Sequence, residues 1–344
     1  MLSLYSDNDS PTWHENIFCV SSEHFTIKGI FMYRTNLIVT LFALLGTLAG
    51  APAYGVQRAH VASYGLDSNT SFNCDVANPC RFFQAATTVV DPNGEVVVLD
   101  SAGYGRVTLN QSISLVAPPG VYAGISVFQS TQGVFIATPG INVVLRGLTI
   151  NGLGGNAGIF MPVGASLSVE NCVVANFPGS GVGILAYANA ARVRIVDTLL
   201  RDNGTGIQVE NASAVISRAT VLGSSNVGIY LYGTVVGTRT NAVVTDTTVS
   251  GGNIGFYANS GITDANVRLA IIRSTSSNNS SSGIGALSSP ASTALVTLSE
   301  SMVTGNNTGL SQSGAGATMQ SLGNNTVRQN GINTSGAVTT ATRL

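Results

Sequence analysis

One lysine, Lys28, and one tryptophan, Trp13, stand in 344 residues, and charged side chains make up 9% of the chain. Histidine is nearly as scarce. Of the three, only His60 lies beyond residue 31. A Ser-His-Asp triad or a histidine general base is therefore excluded from everything after residue 60. No serine stands in a G-x-S-x-G elbow, and no H-E-x-x-H is present. From Tyr54 onward the chain carries 13 Arg against 12 acidic residues, spread without clustering. No basic stripe exists for a nucleic acid to follow, so none is expected as a partner. The longest apolar run, Leu37 to Leu48, has 12 residues, short of the roughly 20 a membrane helix needs.

What the sequence has in quantity is glycine, 40 residues of it. Residues 193–212 read VRIVDTLLRDNGTGIQVENA: two apolar bursts, a polar turn, then Gly-Ile. The pair or a close variant recurs at Gly158-Ile159, Gly183-Ile184, Gly206-Ile207, Gly228-Ile229, Gly255-Phe256, Gly283-Ile284, Gly309-Leu310 and Gly331-Ile332, at intervals of 22 to 28 residues. A period of that length marks a repeat architecture in which each unit is buried by its neighbours.

Within the units the apolar residues alternate, as in Leu167/Val169, Val193/Ile195 and Ile207/Val209. Period two is the pattern of a strand buried on one face. Val, Ile and Thr fill the bursts, and Asn, Gly, Ser and Asp separate them. Units this short do not make propeller blades of about 40 residues, and leucine-rich spacing is absent. The pattern predicts an all-β fold, a right-handed parallel β-helix of about ten coils. Each repeated glycine is expected to supply a turn conformation closed to other residues, with the following Ile stacked inward.

VVANFPGSGVGILAY and LRDNGTGIQVENA resemble the short repeat of pectin lyase-like right-handed β-helix proteins of the exported bacterial type, over about residues 95–344. The resemblance implies the fold. It leaves activity open, because that family mixes polysaccharide lyases, hydrolases, epimerases and adhesins. The paired Asp, Gly-His-Gly and Arg-x-Lys of polygalacturonase-like members are missing. The acidic and Arg residue types of pectate lyase-like members are present.

The chain start divides into an over-extended segment, 1–31, and a signal peptide, 32–53. In the latter, Arg34 precedes the apolar run, and Ala51-Pro52-Ala53 gives the cleavage pattern. The mature protein is expected to be exported, with no membrane span after cleavage; whether it is secreted, periplasmic or on the cell surface stays open, as does its oligomeric state. Residues 54–94 read as an N-terminal cap over the first coil. There FNCDVANPCRFF sets Cys74 and Cys80 around an Asn-Pro turn. A disulfide is expected, and a metal site is not, since no third ligand is near. PCRFFQAATTVV predicts a helix with Phe82, Ala85, Ala86 and Val89 on one face. The cap pattern also resembles that of exported members of the family. Cys172 falls in a repeat position held elsewhere by Thr198 or Ser274 and reads as a buried small residue.

Two columns of side chains follow from aligning the repeats. Asp197, Arg218, Asp246, Arg273 and Glu300, flanked by Asn171 and Asn324, alternate in sign and read as a structural surface ladder rather than a Ca²⁺ site, which would gather carboxylates without interleaved Arg. After each Gly-Ile, the residues Ile184, Ala186, Ile207, Val209, Ile229, Leu231, Phe256 and Ala258 should point inward. Leu185, Tyr187, Gln208, Glu210, Tyr230, Tyr232, Tyr257 and Asn259 should point outward. Tyr187, Glu210, Tyr230, Tyr232, Tyr257 and Asn259 are the candidate ligand site, because aromatic rings with carboxylate and amide neighbours suit sugars. No catalytic residue, metal or cofactor is assigned. The leading expectation is a binding or structural protein with a polysaccharide ligand. A lyase or hydrolase resembling pectate lyase is the alternative, and a structural spike or adhesin stalk the third.

Overall fold

The computed structural model describes residues 55–341, which form one compact unit; the segments expected to be an over-extended start, 1–31, and a signal peptide, 32–53, lie outside the described residues. Strands run in three parallel sheets of twelve, ten and ten members. Each coil gives one strand to each sheet in turn, so the ten-stranded sheets define ten coils separated by nine steps. At one strand spacing per step the stack is about 45 Å long. One coil reads Arg192–Val196 in the first sheet, Leu199–Arg201 in the second and Thr205–Glu210 in the third. The crossovers are right-handed, as parallel connections in one sheet are.

Register follows the alternation. Ile184, Ile207, Ile229, Phe256 and Ile284 pair in one line, each coil onto the next. All eight residues expected to point inward are buried. A one-residue slip would turn this whole set to solvent, which is why the register is firmly set.

The glycine before each of these residues has a different role from the one expected. None of Gly158, Gly183, Gly206, Gly228, Gly255, Gly283 and Gly309 has a positive φ. They sit inside the third-sheet strand, at the corner where it approaches the second sheet, with no space for a side chain. A Cβ on Gly228 would stand 2.3 Å from Val249 Cγ1 and 2.7 Å from the Gly255 carbonyl oxygen. Gly133 opens the same column, its Cβ position 2.5 Å from the Gly158 oxygen. Gly331-Ile332 does not continue it. Ile332 pairs with Thr308 rather than Leu310 and is exposed, so the last coil places Asn333 and Thr334 where Gly and Leu stood.

The corners carry polar ladders. Between the first and second sheets a single residue adopts the left-handed conformation: Asn171, Asp197, Arg218, Asp246, Arg273 and Glu300 have φ of 46 to 51°. The next residue is buried, and where it is Thr or Ser its hydroxyl caps the neighbouring coil. The backbone N–H groups of Ala219, Thr247 and Ser274 donate to the hydroxyls of Thr247, Ser274 and Ser301 at 3.3, 3.2 and 3.1 Å. Those hydroxyls donate to the carbonyls of Thr245, Ile272 and Ser299 at 2.9, 2.9 and 2.7 Å. Cys172 occupies this column as expected, and burial raises its thiol to about 11. Between the second and third sheets an asparagine series, the buried Asn279 and Asn306 and the half-buried Asn330, does similar work.

The cap is joined to the solenoid. Arg58–Val61 pairs with Glu95–Val98 and becomes the first strand of the first sheet. Cys74 and Cys80 form the disulfide, with both cysteines fully buried. The helix shrinks to one turn, Phe83–Ala86, and its buried face is Phe83, Ala86 and Val90. Phe82, expected on that face, is 40% exposed and lies under the Arg81 guanidinium. Two phenylalanines stand side by side, and it is Phe83 that turns inward.

His60 is clamped by this loop: its N–H donates to the Cys74 carbonyl at 2.7 Å and its carbonyl accepts from the Cys80 N–H at 2.9 Å. Burial holds its imidazole below 6.5, opposed by a hydrogen bond at the Cys74 backbone and reinforced by Arg58. The unfolded chain then binds a proton that the folded cap resists. The stability this contributes is complete above about pH 6.5 and is lost as pH falls toward the folded value. The melting temperature should therefore drop on mild acidification, and His60→Phe should flatten that part of the profile.

Candidate functional site

The outer face of the third sheet carries the sequence-predicted residues in the expected orientation. Tyr230 and Tyr257 pair in one register line with Gln208, and Tyr232 and Asn259 pair in the next with Glu210. Tyr187 is 39% exposed, and the other five are half-buried. The Tyr230 ring stacks on Tyr232 at 5.2 Å and on Tyr257 at 5.5 Å, each at 15°. Two glycines make room for this group. A Cβ on Gly285 would meet Tyr257 Cδ2 at 2.7 Å, and one on Gly261 would meet Tyr232 Cε2 at 2.4 Å. The rings thus spend much of their face area on one another and offer edges and hydroxyls outward.

The polar partners are ordered. Asn259 Nδ2 donates to the Tyr230 hydroxyl at 2.9 Å. Glu210 accepts from Gln208 Nε2 at 2.5 Å and from the Thr234 hydroxyl at 3.0 Å. Burial raises the pKa of Tyr230 and of Tyr257, so both hydroxyls stay protonated donors at neutral pH.

The aromatic face extends further than expected. Phe135 and Phe160 lie in the same register line as Leu185, Gln208 and Tyr230. They stack at 5.5 Å and 19°, and Phe160 meets Tyr187 edge-on at 5.5 Å. Six aromatic side chains therefore mark one face. The signal was available in Gly158-Ile159-Phe160, where the outward residue follows the same Gly-Ile pair.

The charge column is built as bidentate pairs and not as a continuous ladder. Arg218 forks onto Asp197 at 2.6 and 2.8 Å, and Arg273 forks onto Asp246 at 2.8 and 3.0 Å. A guanidinium fork satisfies one carboxylate completely, so each Arg turns to the preceding coil. The hydrogen bond from Arg218 holds Asp197 below the usual carboxylate range, and that from Arg273 does the same for Asp246. Arg218→Ala should lower the melting temperature only slightly and leave ligand retention unchanged; loss of retention without a change in melting would make this column the site.

The first sheet carries a groove of about 580 Å³ across Val144, Ser168, Arg192, Arg194, Ser213 and Val215. Glu170 borders it, gripped by Arg146 at 2.8 Å and Arg194 at 2.7 Å, with Ser168 donating at 2.8 Å. Burial raises the Glu170 pKa, but Ser168 and the two guanidinium groups outweigh it and hold the carboxyl below its ordinary value. The sequence reading did not single out this cluster. Among the described residues, no three His, Cys, Asp or Glu side chains gather as metal ligands, and no helix is long and apolar enough to cross a membrane.

These features define a right-handed parallel β-helix. A family model described as a right handed beta helix region matches residues 132–293. Among solved structures, pectate lyase Pel9A is similar at 15% identity and a TM-score of 0.56, over 84% of this chain and 78% of that one. The Dettilon tailspike protein gives 14% identity and a TM-score of 0.31, over 72% of this chain and 61% of its own. No curated protein matches the sequence.

Proposed function

We propose that this is an exported, non-catalytic β-helix protein that binds a polysaccharide on the outer face of its third sheet. The observation that carries the reading is the concentration of Phe135, Phe160, Tyr187, Tyr230, Tyr232 and Tyr257 on that face, interleaved with Gln208, Glu210 and Asn259. Sugar rings need both elements, apolar area for their C–H groups and fixed hydrogen-bonding groups for their hydroxyls. Tyr232→Ala should weaken retention in glycan-containing native gels while leaving melting nearly unchanged, because truncating an outward ring opens no interior cavity. A Tyr187/Tyr232/Tyr257 triple alanine variant that binds every tested glycan as well as the parent would refute the site.

A second reading, a polysaccharide lyase, is favoured by one observation: the first-sheet groove with Arg192 and Arg194 beside Glu170. The relative named as a pectate lyase has the same fold. Release of unsaturated oligosaccharides from a polyuronate, abolished by Arg194→Ala, would establish it over the binder.

A further inference from the structure

The third-sheet face continues toward the N-terminus as a trough that the tyrosine cluster does not include. Gly154, Gly155 and Gly181 line it at the second corner, and Gly154 has a φ of +90° that favours glycine. A cavity of about 490 Å³ lies over Gln132, Asn156, Phe160, Ser180 and Leu185. It shares Gln132 with a neighbouring cavity of about 260 Å³ over Gln84, Arg106, Thr108 and Phe135. Gln84 comes from the helical turn of the cap. It is locked against the first third-sheet strand, its side-chain oxygen accepting from the Thr108 N–H at 2.8 Å. The trough therefore runs along the helix axis from the cap to Leu185, one coil from Gln208 and two from Tyr230.

Its chemistry is uncharged almost throughout. Amides and hydroxyls from Gln132, Asn156 and Ser180 flank a phenyl floor, with Arg106 alone at the cap end. The first-sheet groove is the opposite, edged by Arg192 and Arg194 with Arg146 close by. An acidic glycan would gain nothing from a neutral trough and would lose hydration at its carboxylates. A neutral one would place hydroxyls against amides that both donate and accept. Successive coils present equivalent groups about 4.8 Å apart, close to the rise of one sugar in an extended β-linked chain, so one sugar can address one coil.

We propose that the trough and the tyrosine cluster form one extended site for a neutral, linear, β-1,4-linked polysaccharide of the glucan or xylan type, lying parallel to the helix axis. This rests on the polysaccharide-binding reading above and specifies its ligand and its length. Phe160 and Leu185 supply the apolar floor, Gln132 and Asn156 the hydroxyl contacts, and Tyr230, Tyr232 and Tyr257 the far end.

The test is affinity electrophoresis of the full exported chain in native gels cast with hydroxyethyl cellulose, xylan, polygalacturonate or alginate, with short and long β-1,4 oligosaccharides as competitors. The parent should be retarded by a neutral glycan and not by the acidic ones, and long oligosaccharides should compete better than short ones. Gln132→Ala/Phe160→Ala should weaken retention about tenfold, the loss expected when one good contact region is removed. Asn156→Ala, at an exposed position, should weaken it less without altering melting. Retention by acidic glycans alone would overturn the neutral assignment and leave polysaccharide binding standing. Full retention by the Gln132/Phe160 variant, with loss in the tyrosine variant, would remove the trough but keep the tyrosine site. Absence of retention in every gel would overturn both readings together.

Discussion

Gly255→Ala should cost about 3 kcal/mol or more, the upper end of what overpacking a well-packed interior costs. The added methyl would stand 2.3 Å from Ser276 Oγ, 2.4 Å from the Gly283 carbonyl oxygen and 3.0 Å from Asn279 Nδ2. The second of these is backbone in the next coil, which cannot rotate away. Relief requires widening the coil spacing, and that stretches the flanking pairs Ile254–Ser282 and Phe256–Ile284 on either side. The Ser276 hydroxyl, which donates to the Gly283 carbonyl at 2.7 Å, loses its place as well. Equilibrium urea unfolding should show a lower midpoint. A midpoint within error of the parent would mean that the column is not sterically closed. Gly120→Ala is the control. Its φ is +86° but nothing lies within 4 Å of its Cβ position, so it carries only the dihedral cost.

That contrast explains where the sequence was legible. Alternation is local, so the inward set around Ile207 and Val209 and the outward set around Tyr230 and Tyr232 followed from neighbours two residues apart. The glycine requirement is not local. The atoms that forbid a side chain at Gly228 belong to Val249 and Gly255, 21 and 27 positions away, and a sequence read as a line shows only that glycine recurs. The conformational explanation was the one available from the chain alone, and the fold replaces it with a steric one. Asp197 and Arg218 show the same limit. Their column and alternating sign were readable, but the choice of partner depends on which way a guanidinium turns. Phe82 shows a smaller version, since adjacent phenylalanines give two helical registers and only packing against Tyr104 selects Phe83. The tyrosine face was legible in position. The stacking of its rings, and its continuation to Phe135, belong to the spacing between coils.

Asparagine was the residue most easily misread, because in a repeat full of turns it looks like turn chemistry. Asn306 is instead 2% exposed and joins three coils. Its side-chain oxygen accepts from the Asn279 backbone N–H at 3.0 Å and from Asn279 Nδ2 at 2.8 Å. Its side-chain nitrogen reaches the Ser276 and Thr304 carbonyls, each at 3.1 Å, and Asn330 Oδ1 at 2.9 Å, of which its two hydrogens serve two at once. Asn306→Ala leaves the Asn279 N–H and at least one carbonyl bare in a site closed to water. At ~1–3 kcal/mol for each such group, the expected loss is about 4 kcal/mol. Asn306→Asp separates this from a packing effect, because it keeps the volume and exchanges the donor for an acceptor. Its carboxyl would face the Ser276 and Thr304 oxygens in a buried position, which raises its pKa in the folded state. The folded variant then binds a proton more tightly than the unfolded chain, so its stability should recover as pH falls and worsen as pH rises through the folded pKa. The parent should show no such gain on acidification, since the only acid-sensitive group identified in the cap, His60, acts in the opposite direction. Equal urea midpoints for Asn306→Ala and the parent, or an Asn306→Asp variant that is insensitive to pH, would show that the amide series does not hold the coils together.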